Sequence, residues 1–281
     1  MGYLRRRPQQ ELICNLTESE KWISRQITDC LLKPHSFITG SWVLCMKYVA
    51  DMHTHTLASG HAYNTINEMI RAASEKKLEI IGITEHAPAM PGSTNVYYFQ
   101  NLNILEREKY GIEVRYGAEL NIIDLKGTTD LDPRSYRDLD YCIASLHTTC
   151  LVPGTKKENT YALLQAMQHP KVRIIGHPDD GHFPTDYEAL IKEAKAQDVL
   201  IELNNASFNP RGFRIQAYEN DIQILKLCVK YGVEIMLGSD AHREEDVGDF
   251  TRTEKILKEV DFPEELIVNR SLSYVKNRLR V

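Results

Sequence analysis

From residue 46 onward the hydrophobic positions of the chain fall into a repeating alternation. A short run rich in β-branched and aromatic residues ends on a polar or metal-capable side chain, and a stretch with apolar residues at helical spacing follows. The runs lie at 47–52, 79–84, 113–118, 141–146, 172–176, 199–204 and 233–238. Between them, Asn64 to Lys77 places Ile66, Met69, Ile70 and Ala73 on one helical face, and Thr185 to Ala196 and Ile215 to Tyr231 carry the same signal. Strands alternating with helices build a parallel sheet with right-handed crossovers. Seven such units predict an α/β fold closed, or nearly closed, into a barrel of TIM-like size, whose reactive groups gather at the carboxyl ends of the strands.

Residues 1–45 follow a different pattern. Thr17 to Lys33 reads as one helix, with Thr17 and Glu20 as a capping box and Trp22, Ile23, Ile27, Cys30 and Leu31 along one face, ended by Pro34. The functional domain is therefore expected over 46–281. Residues 1–45 are an N-terminal extension of unassigned role, either a small appendage or an over-long assigned start.

The chemistry begins at Asp51-Met52-His53-Thr54-His55, with His61 six residues on. Strand side chains alternate faces, so His53 and His55 emerge side by side, at a separation one cation can bridge. The later strand ends carry Thr84-Glu85-His86, Gly117-Ala118-Glu119, Ser145-Leu146-His147, Gly176-His177-Pro178-Asp179, Glu202-Leu203-Asn204-Asn205 and Gly238-Ser239-Asp240-Ala241-His242. Seven of the ten histidines thus fall on one rim. Together with Glu119 and Asp240 they exceed what one catalytic metal uses, about three protein ligands and an open position. They suit two or three ions. Three divalent ions against two carboxylates would hold about +4, a focused positive pocket for a small anion. Clustered metals also lower the pKa of a shared water and stabilise in-line displacement at phosphorus. Imidazole with carboxylate favours zinc, with manganese and iron compatible.

Composition narrows the partners. The net charge is 34 minus 39, or −5, which argues against a domain that holds long nucleic acid by its general field. No apolar run approaches the roughly 20 residues of a membrane span. Arg5-Arg6-Arg7 is followed by Pro8-Gln9-Gln10-Glu11 where a signal peptide needs an apolar segment, so the expected location is cytoplasmic. The six cysteines, Cys14, Cys30, Cys45, Cys142, Cys150 and Cys228, form no C-x-x-C pair and read as free thiols.

The ordered motifs H-x-H, an additional His, T-E-H, G-x-E, S-x-H, G-H-P and G-S-D-x-H resemble the polymerase and histidinol phosphatase (PHP) superfamily of metal-dependent phosphoesterases. The stretches Glu202 to Phe208 and Val260-Asp261-Phe262-Pro263 look most like its YcdX-type phosphatases. The resemblance covers about residues 46–280. It implies a distorted (β/α)7 TIM-like barrel with a trinuclear zinc site. His53, His55, Glu119 and Asp240 would hold one metal. Glu119 would bridge to a second, completed by His147 and His177, and His61, His86 and His242 would hold the third. The reaction it implies is hydrolysis of a small phosphorylated metabolite by a metal-bridging hydroxide held among Glu119, His147, His177 and Asp240.

Other residues carry weaker signals. Asn205, Ser207, Arg211 and Arg214 follow the sixth run, where an arginine could grip phosphate; Arg211 and Asn205 are the candidate substrate contacts. His182 reads as a loop histidine, Asp51 as an orienting or plain hydrogen-bonding carboxylate, and His35 and His169 as structural. Pro88 to Tyr98 reads as a mobile loop beside His86. The rival readings are a phosphodiesterase or nuclease of the same superfamily, an amidohydrolase-type metallohydrolase, and a non-catalytic metal-binding module.

Overall fold

The computed structural model describes residues 48–281. The helix expected over Thr17 to Lys33, His35 and the start of the first run lie outside the described residues. Parallel strands run in the order β1 (Ala50–Asp51), β2 (Ile80–His86), β4 (Ile112–Asn121), β5 (Cys142–Ser145), β6 (Val172–Ile175), β7 (Leu200–Asn204) and β8 (Ile235–Gly238), while β3 (Glu108–Lys109) folds back antiparallel on the start of β4. The seven runs read from the sequence are the seven parallel strands. β3 was not anticipated, because Glu106-Arg107-Glu108-Lys109 shows no apolar alternation. The two edges meet just beyond the strand ends. There Thr54 and Ala241 form a parallel bridge, His55 N donates to the Ala241 carbonyl (2.9 Å) and Asp240 N to the His53 carbonyl (2.9 Å). The result is a nearly closed, distorted (β/α)7 barrel.

Helices Ile66–Glu75, Tyr187–Gln197 and Ala217–Tyr231 occupy the segments whose spacing predicts them. Thr65 and Glu68 form a full capping box on the first, and Thr155 and Glu158 do the same for helix Lys156–Ala166. The 88–98 segment is a loop that enters a short helix, Val96–Phe99. No helix among the described residues is long and apolar enough to cross a membrane.

Period two sorts each strand between two cores. Ile81, Ile83, Val114, Ala118, Leu120, Ile201, Leu203, Ile235 and Leu237 belong to the larger cluster shared with the helices. Ile80, Tyr141, Ile143, Ile174, Leu200 and Met236 belong to a second cluster, closed by Val275 and Leu279 of the C-terminal helix Leu272–Leu279. Continuing upward from this plug in steps of two gives Gly82, Thr84 and His86 on β2, Ser145 and His147 from β5, Glu202 and Asn204 on β7, and Gly238 and Asp240 from β8. The interior therefore changes from apolar to polar and ionisable along these four strands. The rim histidines stand directly above a dry floor.

Candidate metal centre

Glu119 is the hub. It is fully buried on β4, where the register sets it beside His86 of β2. Its Oε1 lies 2.9 Å from His177 Nε2 and 3.2 Å from His147 Nε2. Its Oε2 lies 2.7 Å from His86 Nδ1, 3.3 Å from His53 Nε2 and 3.4 Å from His55 Nε2. Asp240 stands across from it, with Oδ1 3.2 Å from His55 Nε2 and 3.6 Å from His242 Nδ1. His61 joins through His242, their Nε2 atoms 3.0 Å apart. All nine residues singled out as ligands thus converge on one cluster.

The outer nitrogens of these rings are fixed. His53 Nδ1 faces Glu202 Oε1 at 2.6 Å, His61 Nδ1 faces the Ser59 carbonyl at 3.1 Å, and His242 Nδ1 faces the Asp240 carbonyl at 2.9 Å. Each partner can only accept, so each Nδ1 must donate. His55 Nδ1 lies 3.1 Å from Ser59 Oγ, whose own proton goes to Glu85 Oε2, so this nitrogen donates too. His147 Nδ1 donates to Asn121 Oδ1 (2.8 Å), because the Asn121 amide nitrogen is spent on the Ala87 carbonyl and Asp130. In neutral rings these five Nε2 atoms are then bare lone pairs. Yet His53 and His55 present theirs to each other at 3.1 Å, as His61 and His242 do at 3.0 Å. Opposed lone pairs call for a cation between them, either a metal ion or a proton such as His53, raised well above an ordinary imidazole, would carry. Buried Glu119 Oε2 and His86 Nδ1 also lack hydrogen-bond partners despite their proximity. The donor set therefore fits metal ions, and His55 with His86 and His242, His53 with His55 and Glu119, and His86 with Glu119 and His147 are three overlapping groups whose ligand atoms lie within 4.8 Å of one another.

Electrostatics follow from this crowding. Burial opposes charge on Glu119, but His86, His147 and His53 outweigh it and hold the carboxyl well below the usual range. Burial likewise opposes charge on Asp240, but His53, His55 and Arg214 hold it well below the usual range. Burial is the largest influence on His53 too, yet Glu202, Glu119 and Asp240 together raise it well above an ordinary imidazole. The opposite holds for His55, which burial and the neighbouring His86 and His242 push well down, and for His61, lowered to about 4 by burial and the same two rings. Two of the converging residues, His177 (φ 29°) and Asp240 (φ 56°), hold left-handed backbone conformations, strain of the kind that persists where a site requires it.

Residues of no expected ligand role fix the cluster. Glu202, 1 % exposed, binds His53 through one oxygen, and its other accepts from His177 N (2.9 Å) and Asn204 Nδ2 (3.0 Å). A Cβ on Gly238 would stand 1.9 Å from Glu202 Oε1, so glycine is what lets this carboxylate reach across the barrel. Glu85 accepts from Thr56 and Ser59, and Ser59 Oγ in turn accepts from His86 N (3.0 Å), so Glu85 steadies His55 and His86 through Ser59. Arg214 ties Asp240 Oδ2 (2.9 Å) to Asn204 and Ser207. Asp51 accepts from the backbone amides of His53, Ser239 and Gly248, and so joins β1 to the loop after β8. His169 stacks on Tyr136 at 4.0 Å, away from the site.

A cavity of about 900 Å3 opens above the cluster, lined by His61, His86, His147, Asp240 and His242 and by Asn205, Arg211, Phe213 and Arg214. Asn205 Oδ1 is engaged by the amides of Arg252 (3.0 Å) and Thr253 (3.3 Å). Arg211 is exposed on the wall, and half-exposed His182 is held by Asp180 at 2.7 Å.

Comparison with known proteins agrees with this architecture. Residues 51–215 match the model of the PHP domain. A protein of Clostridium novyi named "Probable phosphatase" is 46 % identical over 237 residues, covering 83 % of this chain and 96 % of that protein. One of the same name from Caldicellulosiruptor saccharolyticus is 47 % identical over 231 residues, covering 82 % and 95 %. Among solved structures, histidinol phosphate phosphatase from Lactococcus lactis, complexed with zinc, L-histidinol and phosphate, superposes with a TM-score of 0.54 at 20 % identity, covering 77 % of this chain and 95 % of that one. With its barrel, its rim of histidines and a family match over more than half its length, the chain belongs to the PHP domain family.

Proposed function

We propose that residues 46–281 form a metal-dependent phosphomonoesterase that hydrolyses a small phosphorylated metabolite. The observation that carries this reading is the pair of opposed, bare Nε2 contacts around a buried shared carboxylate, an arrangement that protons or metals must complete. In this reading His53, His55, Glu119 and Asp240 hold one divalent ion, Glu119 with His147 and His177 a second, and His61, His86 and His242 a third, most naturally zinc. Bound there, such ions supply Lewis acidity and a water of lowered pKa. The chain's own residues do the rest. Glu119 and Asp240 stay ionised, Glu202, Ser59 and Asn121 hold the imidazoles in the donating tautomer, and the apolar floor keeps bulk water from below. Arg214, locked onto Asp240, positions that carboxylate. Arg211 and Asn205, on the cavity wall, are the proposed substrate contacts.

Protein stripped by chelator and reloaded with zinc or manganese is expected to hydrolyse p-nitrophenyl phosphate and to spare its bis-ester. Preference for the bis-ester would make it a phosphodiesterase, and loaded protein inert on both would overturn the reading. A further expectation concerns Glu202. Glu202→Gln keeps the shape but removes the charge behind His53, and partners of this kind are worth about 10–100-fold in metal affinity or activity. Competition with a chromophoric chelator measures it, and an unchanged affinity would take Glu202 out of the site.

A further inference from the structure

Hydrolysis of an unactivated phosphomonoester leaves an alkoxide, which needs a proton as its bond to phosphorus breaks. Imidazoles committed to metal ions cannot supply one. Beyond the nine candidate ligands, the charged side chains on the cavity wall are Arg211, Arg214, Arg243 and Arg252, which stay protonated, Asp246, paired with Arg243 at 2.6 Å, and His182. Of these side-chain types, only imidazole ordinarily exchanges a proton near neutrality.

His182 has a carboxylate behind it. Its Nδ1 lies 2.7 Å from Oδ1 of Asp180, a residue 4 % exposed. A carboxylate only accepts, so Nδ1 donates, and Nε2 has no hydrogen-bond partner among the described residues. A buried carboxylate that holds an imidazole in one tautomer also stabilises the imidazolium form. The turn that carries the pair is firmly seated. Gly181 N donates to the Ile215 carbonyl (2.8 Å), and a Cβ on Gly181 would stand 2.7 Å from that oxygen, so glycine is what lets the turn pack this closely. On either side Phe183 is 2 % exposed and the Asn220 amide holds the Asp179 carbonyl at 2.7 Å. The same turn begins at His177, just beyond β6, so the pair and the histidine cluster are built on one strand end.

We infer that His182 is the general acid that protonates the leaving alcohol, and that Asp180 positions it. The inference rests on the phosphatase reading above and deepens it. A water gives one proton to solvent and its oxygen bonds to phosphorus. As the ester bond from phosphorus to oxygen breaks, its electron pair goes to the leaving oxygen, and His182 Nε2 passes that oxygen a proton. The products are the free alcohol and inorganic phosphate. Neutral His182 then regains a proton from solvent at the cavity wall, where its side chain is 36 % exposed, so the cycle consumes none.

The test measures kcat/KM of zinc-loaded wild type, His182→Gln and Asp180→Asn on p-nitrophenyl phosphate, phenyl phosphate and glycerol 2-phosphate, whose leaving oxygens are increasingly basic. A p-nitrophenolate departs without a proton; a glycerol alkoxide does not. Relative to wild type, His182→Gln should lose about 10²–10⁴-fold on glycerol 2-phosphate, less on phenyl phosphate and under about tenfold on p-nitrophenyl phosphate. Asp180→Asn should show the same order with smaller losses. A merely structural role would lower all three rates alike. Elemental analysis supplies a readout without turnover, since neither residue is a ligand and both variants should hold as much zinc as wild type. Equal losses on the three esters, no loss, or a zinc ion missing from His182→Gln overturns the inference and leaves the phosphatase standing. Should the variants not fold, wild type decides alone. A fall in kcat/KM across the three esters as steep as that of their uncatalysed hydrolysis would mean that no acid assists departure, and a shallow one supports His182. Failure on every ester overturns both readings.

Discussion

Glu119→Gln is expected to remove metal-restored phosphatase activity by more than the roughly 100-fold that loss of an outer partner costs, and to leave fewer metals bound per chain. One carboxylate here serves five imidazoles, with His177 and His147 against one oxygen and His86, His53 and His55 against the other. Glutamine fills the same volume but brings no charge, and its amide can donate to a bare Nε2. A cluster that needed a cation would then satisfy itself internally. The substituted protein should therefore fold, and without metal it should unfold at or above the temperature of stripped wild type. Added zinc should raise that temperature strongly in wild type and little in Glu119→Gln, because ligands that bind only the folded state stabilise it in proportion to their affinity. Elemental analysis and thermal melts with and without zinc decide the matter. A Glu119→Gln protein holding the full wild-type complement of metal would show that the carboxylate is not the hub.

Much of this site was legible before any coordinates. The H-x-H pair follows from the two-residue period of a strand, and Glu119, His147, His177 and Asp240 stand out as metal-capable side chains at or just beyond the later strand ends, with His177 falling off the inward period of β6, whose Ile174 leads on to Gly176 and Pro178. What surrounds the candidate ligands was harder to read. Ser59 and Asn121 look like ordinary loop and strand polar residues, and their roles come from folded contacts with Glu85, 26 residues from Ser59, and Asp130, 9 residues from Asn121. Glu202 left a signal that could have been used. It stands between Ile201 and Leu203 inside an otherwise apolar strand, where a lone carboxylate must find a buried partner. The arginines after β7 were indistinguishable in sequence. Only the packing shows Arg214 committed to Asp240, and Arg211 without an ion pair among the described residues. The β3 hairpin had no apolar pattern, since its strand is short and rides on the edge of β4.

Acidification of the metal-free protein is the second large effect expected. Burial and neighbouring rings hold His55 well below an ordinary imidazole, and burial lowers His147 against the pull of Glu119. An unfolded chain takes protons on both near pH 6.5, whereas the folded chain refuses them, so below that pH the unfolded state binds more protons and stability falls as pH falls. Each of the two contributes up to about 1.4 kcal/mol per pH unit of descent. For a domain of this size each kcal/mol moves the midpoint by roughly 2–4 °C. His61, lowered to about 4, acts in the same direction more weakly because water reaches it. His53 does not offset them. Its pKa is raised, so its stabilisation is complete below the unfolded value and is lost only as pH rises through the folded one. Stripped protein should thus lose about 5–10 °C in unfolding temperature between pH 6.5 and 5.5. Zinc-loaded protein resists until protons displace the ions, since a coordinated imidazole cannot take a proton. Its melting temperature should stay nearly flat over that interval and then drop abruptly. Parallel slopes for stripped and loaded protein would mean that these imidazoles do not meet a metal.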